Sequence, residues 1–265
     1  MSEMTAAAPS TRVPIGGPPR TPLWTSYRAL LRWTTAQIGA MLPLVVVVQA
    51  LLAAGIIVGF GYLIPDIDRP TAQFLSTGAP TVLLMVVGLV LVPQGVAQAR
   101  TSGTFAYLRA LPVPRPLLLA ADLTVWLLVA LPSIAVAVIV AHLRYGFGFA
   151  FDWPLLVAAS LLITVTATAV GYAIAVSLPP LLAQLSTQVL VFFVMLFSPI
   201  TFPASQLPAW FQSLHDVLPI RPAADLLRAG LLSGTYSASW RDLAVLIVWC
   251  VFGLTISVRA LVRRG

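Results

Sequence analysis

The chain has 265 residues, of which 59% are hydrophobic and 9% are charged, whereas a soluble domain carries about 25% charged residues. Because a soluble fold of this size cannot bury so much apolar side chain, the composition excludes a soluble globular protein, a disordered protein and a nucleic-acid-binding module. The net charge of +7 comes from arginine alone. The absence of lysine excludes a Walker A loop from these residues, because that loop needs a lysine to reach the phosphates of ATP.

Reactive side chains are few. The single cysteine, Cys250, excludes an intrachain disulfide and any metal site with several cysteines. His142 and His215 are predicted as solvated residues of connecting segments rather than as metal ligands or catalytic bases.

The N-terminal part of the chain predicts a tail followed by an amphipathic helix. Residues 1–22 contain five prolines and a pair of adjacent glycines, so we expect a disordered cytoplasmic tail. Residues 23–40 place apolar side chains on one helical face and arginines on another. Trp24 and Trp33 are typical of the membrane interface, which favours a helix that lies on the membrane lipids. The alternative is a linker helix that faces solvent.

Six segments reach the length of about 20 mainly apolar residues that a spanning helix needs. They are residues 41–64, 79–97, 117–141, 154–178, 181–200 and 242–260. The pair Pro179–Pro180 separates the fourth span from the fifth, and because proline breaks a helix, a tight turn is predicted there. The sequence therefore predicts an all-α membrane protein with one transmembrane domain over residues 23–265.

The distribution of arginine predicts the orientation. Ten of the fifteen arginines fall on the side that holds both ends of the chain, and five fall on the other side. Connections rich in positive charge stay in the cytoplasm. Both termini are therefore predicted to be cytoplasmic, in a bacterial plasma membrane.

The connection between the second and third spans displays apolar side chains to the predicted cytoplasmic side. A short helix is expected to start at Thr101 or Ser102 and to stop before Pro112. It would expose Phe105 and its apolar neighbours, which points to a partner protein that covers them. The alternative is an ordinary basic loop whose apolar residues lie among lipid head groups.

The same connection resembles the coupling-helix region of ABC type-2 exporter permeases, which include daunorubicin-resistance-type permeases and polysaccharide exporters. The residues that carry the likeness are Arg100, Gly103, Thr104, Leu108, Pro112, Val113 and Arg115. The resemblance implies that a separate ABC ATPase subunit holds ATP and magnesium and docks here. This chain would then need no cofactor and would not itself be an enzyme. The residues expected to dock the ATPase subunit are Arg100, Gly103, Thr104, Phe105, Leu108 and Arg109.

A second likeness to the same family follows the fifth span. It resembles the short external helices of these permeases and is carried by Pro203, Leu207, Pro208, Trp210, Pro219 and Arg228. Repeated prolines cut the backbone into short helices, and non-helical backbone at membrane depth is tolerated only against protein or water. These observations favour re-entrant external helices. The alternative is a purely structural cap.

Gly55 and Gly59 of the first span are four residues apart, and such a pair lets another helix approach closely. The family resemblance implies a dimer of permeases, identical or sister chains, with the first and fifth spans near its axis. The two glycines are therefore candidates for the dimer contact, and packing within one subunit is the alternative.

These observations predict the permease subunit of an ATP-driven exporter that moves an amphipathic drug, natural product, lipid or glycan out of the cytoplasm. Its partners would be the ATPase subunit, a second permease and membrane lipids, with no nucleic acid. The alternative is a secondary transporter driven by an ion gradient. That alternative needs an acid inside a span, and Asp122, about one turn into the third span, is a poor candidate.

Overall fold

The computed structural model describes residues 22–64, 66–104, 107, 113–200, 202–204 and 207–263. The helices in these ranges are α1 (Leu23–Gly39), α2 (Leu42–Leu63), α3 (Arg69–Thr101), α4 (Arg115–Tyr145), α5 (Trp153–Ser177), α6 (Pro180–Phe197), α7 (Ala209–Val217), α8 (Ile220–Leu231) and α9 (Trp240–Arg263). Six of them, α2 to α6 and α9, are long and apolar enough to cross a membrane. The predictions of an all-α fold and of six spans are confirmed. All of the predicted tail except Pro22 lies outside the described residues.

The bundle has two ends that differ in what lies on them. The loop end carries α1 and the connection from α3 to α4, and the tight turn from α5 to α6 lies there too. The hairpin end carries α7 and α8, which lie between α6 and α9. A short parallel bridge between Ala150 and Leu232 ties the α4–α5 connection to the residue that follows α8.

Helix α3 starts well before the apolar run that predicted it. It begins at Arg69, whereas the second span was expected from residue 79. The carboxylate of Asp68 accepts a hydrogen bond from the backbone N–H of Thr71 at 3.2 Å and so caps the helix. The first turns carry polar residues such as Thr77, which is fully buried against neighbouring helices. Hydropathy alone misses such turns because their polar side chains face protein rather than lipid.

Helix α3 occupies the centre of the bundle. In its most apolar stretch 89% of the residues are buried, against 28% in α2 and 22% in both α6 and α9. A π-helical turn at Val87–Leu91 interrupts it just before Pro93. Helices α2 and α6 therefore lie at the edge of the bundle, while α3 forms its core.

Glycines bring the central helices into direct backbone contact. Gly171 of α5 lies against the carbonyl oxygen of Gly88 and the ring of Pro93, both in α3. Gly253 of α9 faces Ala169 of α5, with only the alanine methyl group between the two helices. Because the side chains at these contacts are small or absent, α5 packs closely against both α3 and α9.

The edge helices α2 and α6 expose wide apolar faces. Helix α2 exposes Leu44, Val47 and Leu51 among others. Helix α6 exposes Leu181, Leu185 and Val189. Faces of this kind are stable only against lipid or another apolar protein surface, as expected for spanning helices at the rim of a membrane domain.

Replacing Gly171 by alanine should destabilise the bundle. A methyl group there would meet the Gly88 carbonyl and the Pro93 ring, and overpacking of this kind typically costs about 1–3 kcal/mol. The measurement is the melting temperature of the purified protein in mild detergent. Gly39→Ala is the matched control, because Gly39 is also helical and no described atom lies within 4 Å of the added methyl group. Equal melting temperatures for the two variants would contradict the close contact between α3 and α5.

Candidate functional site

Helix α1 packs against the first turns of α4 at the loop end. Leu30 is buried beside Leu118 and Ala121, and the hydroxyl groups of Tyr27 and Thr124 are hydrogen-bonded at 2.7 Å. On the opposite face of α1, arginine and tryptophan side chains are exposed. The helix is thus amphipathic, as the sequence predicted.

Asp122 lies in the same region, near the start of α4. The hydroxyl of Thr34 donates a hydrogen bond to its carboxylate at 3.4 Å, so α1 and α4 are also joined by polar side chains. The contact gives Asp122 a structural partner at the edge of a span rather than in its middle. A coupling-ion site would be expected deeper in the membrane.

The side chain of Arg100 binds the C-terminal end of α5. Its guanidinium donates hydrogen bonds to the carbonyl oxygens of Ala175 at 2.5 Å and of Leu178 at 2.7 Å. These carbonyls lie in the last turn of α5 and just beyond it. Carbonyl groups at a helix C-terminus have no backbone N–H donor within the helix and carry partial negative charge. These contacts fix the α3–α4 connection to α5, and the docking role expected for Arg100 stays a prediction.

Thr101 and Ser102 end α3 and do not cap the expected short helix. The hydroxyl of Thr101 bonds back to the carbonyl of Ala97, and the N–H of Ser102 donates to the carbonyl of Gln98. Gly103 then adopts a left-handed conformation with φ of 78°, which glycine adopts without strain. A short helix does follow Gly103: Thr104 and Tyr107 are helical, and the N–H of Tyr107 donates to the carbonyl of Gly103 at 3.1 Å. These two described residues agree with the predicted helix in this connection, whereas the prediction that Thr101 or Ser102 caps it is wrong.

The remaining predicted docking residues are only partly described. The hydroxyl of Thr104 lies 3.0 Å from that of Ser102, at the start of the connection. Phe105, Leu108 and Arg109 lie outside the described residues. Their docking role therefore stays a prediction.

Gly55 and Gly59 lie on an exposed face of α2. No described atom approaches within 4 Å of the place where a side chain would begin at either glycine. Gly61, in contrast, lies on the inner face, against the hydroxyl of Tyr145. Packing within the subunit, the alternative left open by the sequence, is therefore wrong for Gly55 and Gly59 as far as the described residues are concerned.

Arg228 anchors α8 to the hairpin end. Only 1% of its surface is exposed, and its guanidinium lies 3.6 Å from the ring centre of Phe74 in α3. It donates hydrogen bonds to the Ile200 carbonyl oxygen and, at 2.8 Å, to the Asp225 carboxylate. Burial lowers the pKa of the guanidinium from its ordinary value, and the nearby Asp225 carboxylate opposes that shift. Arg228 thus joins α8, α3 and the segment after α6.

Further ion pairs surround this anchor. Arg221 pairs with Asp216 and lies 3.6 Å from Asp225, and Arg241 lies 3.4 Å from Asp216. The pairs connect α7, α8 and the start of α9, although their partial exposure limits what each contributes.

The other residues predicted for the external re-entrant region are more exposed than Arg228. Trp210 is 70% exposed, Pro203 and Pro208 are exposed, and Pro219 precedes the first turn of α8. His215 was expected to be solvated, but it is fully buried, and its ring stacks on that of Phe193 in α6. The expectation failed because α7 is amphipathic and turns His215 toward α6.

A cavity of about 790 Å³ opens between α2, α3 and α6 near the loop end. Five glutamines line it, and no charged side chain is among its described lining residues. The five are Gln37, Gln94, Gln98, Gln184 and Gln188. The sequence analysis missed them because glutamine is neither charged nor apolar, although the four-residue spacing within each helical pair places both members on one face.

The comparisons with known proteins agree with this architecture. A sequence profile described as ABC-2 type transporter matches residues 25–232, which is more than three quarters of the chain. The chain therefore belongs to the ABC-2 type transporter family, and the resemblance seen in the sequence is confirmed. It is a multi-pass membrane protein and a permease component of an ABC transporter. A comparison with curated proteins finds no match.

Substituting Arg228 by methionine should destabilise the hairpin end. The change leaves the buried Ile200 carbonyl without its donor, and a buried unpaired polar group costs about 1–3 kcal/mol. Limited proteolysis and the melting temperature in detergent measure the effect. Arg241→Met is the control, because the Arg241 side chain is 64% exposed and its ion pair is expected to contribute about 0–1 kcal/mol. If both variants resist protease equally, Arg228 is not the anchor of α8.

Proposed function

We propose that this chain is the permease subunit of an ATP-driven exporter that moves an amphipathic drug, natural product, lipid or glycan out of the cytoplasm. The observation that carries the proposal is the family match combined with a connection after α3 that is fixed to α5 through Arg100. A separate ABC ATPase subunit binds and hydrolyses ATP with magnesium. It docks on the α3–α4 connection, and Phe105, Leu108 and Arg109 are the proposed contact residues.

The packing of the bundle would transmit a movement of the ATPase subunit to the spanning helices. A displacement of the α3–α4 connection pulls on the end of α5 through Arg100. Helix α5 moves with α3 and α9, because direct glycine contacts join these helices. Helices α2 and α6 lie at the edge of the bundle. The central helices α3, α5 and α9 therefore shift past them and change the width of the glutamine-lined cavity.

The charge distribution supports the orientation in the membrane. The sequence predicts ten of the fifteen arginines on one side of the membrane, and the described ones among them, such as Arg28, Arg32 and Arg100, lie at the loop end. The loop end is therefore proposed to face the cytoplasm of a bacterial cell. Helix α1 then lies at the inner surface among lipid head groups. Helices α7 and α8 form the proposed re-entrant pair at the outer side.

The exposed face of α2 supports assembly with a second permease. Gly55 and Gly59 leave the helix backbone open to close approach, and apolar residues surround them. Two copies, or one copy and a sister chain, would pack these faces together near the dimer axis. The substrate would pass between the two permeases.

Purification through a C-terminal tag, from native membranes in mild detergent, tests the exporter proposal. A subunit with a Walker A sequence and ATP hydrolysis activity should be recovered in stoichiometric amount. Arg100→Ala should lower that recovery about tenfold, since it removes two charge-assisted hydrogen bonds that hold the connection. Arg100→Lys should restore part of it. Mass spectrometry and an ATPase assay measure the outcome.

Arg144→Ala is the matched control, because Arg144 is exposed at the hairpin end. Its recovery of the ATPase subunit should equal that of the unchanged protein. If the unchanged chain is recovered alone from several detergents, the exporter proposal fails. A transporter driven by an ion gradient then becomes the better explanation, and Asp122→Asn is the variant that tests it.

Cysteines placed on α2 test the dimer contact. In a Cys250→Ala background, Gly55→Cys and Gly59→Cys should form cross-linked permease pairs in oxidised membranes, because both positions are open. Ile57→Cys is the control, since Ile57 is fully buried within the subunit. Electrophoresis without reductant and mass spectrometry identify homodimers or pairs with a sister chain. No cross-link at either glycine position would place the contact elsewhere.

A further inference from the structure

The carboxamides of the glutamine-lined cavity come from three separate helices. Gln37 belongs to α1, Gln94 and Gln98 to α3, and Gln184 and Gln188 to α6. The two members of each pair are four residues apart and lie on one face of their helix. Five of the nine glutamines in the chain therefore meet at one place in the fold.

The side-chain carboxamides of these glutamines can bind a polar ligand. All five glutamines are exposed in the isolated chain, and no hydrogen bond joins their side chains to other described residues. Each carboxamide has two N–H donors and an oxygen that accepts two hydrogen bonds. In the hydrocarbon part of a membrane, unpaired amides are costly, so such a cluster is expected to face water or a polar ligand rather than lipid tails.

Gln49 is independent evidence that polar groups continue from the cavity further along α2. It lies four residues after Val45, a lining residue, and so one turn deeper along the same face of α2. It is 5% exposed, and neither atom of its carboxamide has a hydrogen-bond partner among the described residues. A buried unpaired carboxamide costs stability, which points to a partner that the described residues do not supply.

We propose that this cavity is the substrate-uptake site of the permease and that it selects an uncharged amphiphile with several hydroxyl, carbonyl or amide groups. The inference rests on the proposed exporter function and narrows its substrate class. The carboxamides hydrogen-bond the polar part of the substrate. Trp126 of α4 and the aliphatic lining residues contact its apolar part.

The charges and the size of the cavity support this class. A cation would find no carboxylate among the described lining residues, and an anion would find no arginine. Either ion would lose hydration without gaining a charged partner, whereas a neutral polar group exchanges its water contacts for carboxamides. The volume of about 790 Å³ falls in the range of sites that hold ligands of drug size.

Three fluorescent probes test the selectivity. They share one dansyl-labelled octyl tail and carry a glucoside, a trimethylammonium or a sulfonate head group. Binding is measured without ATP, by energy transfer from tryptophan to dansyl, on the purified chain with its accompanying subunits in lipid nanodiscs. The glucoside should bind saturably and at least tenfold more tightly than either charged probe. Empty nanodiscs correct for uptake by lipid.

Glutamine variants connect the binding to the cavity. The double change Gln98→Leu and Gln188→Leu removes two sets of hydrogen bonds and should raise the Kd for the glucoside about tenfold. Gln98→Glu should improve binding of the trimethylammonium probe, because it places one carboxylate in the cavity. Gln73→Leu is the control, since Gln73 lies at the other end of α3, and its Kd should not change. Trp126→Phe should reduce the energy transfer from the bound probe.

Three results would overturn the inference. The first is equal binding of all three probes, and the second is a glucoside Kd that the Gln98 and Gln188 changes leave unaltered. The third is loss of the α2 cross-link between permeases in the glutamine variants with no effect on probe binding, which would make the cavity a contact between chains. Glutamine-dependent glucoside binding without any ATPase partner would support the selectivity of the cavity while rejecting the exporter.

Discussion

Polar groups that end up inside a membrane domain must find partners within the protein, and two arginines meet this need at opposite ends of the bundle. Arg100 donates to the carbonyls of Ala175 and Leu178, where α5 ends. Arg228 donates to the Ile200 carbonyl, where the chain leaves α6. Without water to replace these donors, the freed carbonyls would be costly. The two contacts fix the α3–α4 connection and the α7–α8 hairpin, so the parts of the molecule that are proposed to face a partner and the outside depend on them.

The bundle combines a closely packed interior with edge helices that expose wide apolar faces. Helices α3, α5 and α9 touch through glycines, so any relative movement there would require backbone atoms to separate. Helices α2 and α6 border the cavity and present apolar side chains outward. Both helices nevertheless contribute to the core, through residues such as Ile57 of α2 and Val194 of α6. In the proposed transport function, a shift of the central helices relative to α2 and α6 would change the width of the substrate path.

Much of the fold follows from sequence because a spanning helix has a simple requirement of length and apolarity. The start of α3 does not follow, because Thr77 is polar yet buried by protein, and no single-helix criterion distinguishes such burial from exposure. The sequence singled out Arg100 for docking, which stays a prediction, and gave no sign of its contact with α5, because that contact depends on where α5 ends, far away in sequence. The glutamine-lined cavity depends on three helices meeting, and its uncharged members give no signal to a search for acids, histidines or basic clusters.

No charged side chain is among the described residues that line the cavity, and this has an electrical consequence. Carrying one elementary charge through a membrane potential of 100 mV involves about 2.3 kcal/mol of work. A neutral cargo involves none, so neither its uptake nor its release would depend on the voltage across the membrane. A transporter with such a site would operate alike in fully energised and depolarised cells as long as ATP is present. Its rate would report the supply of nucleotide and cargo rather than the state of the proton-motive force.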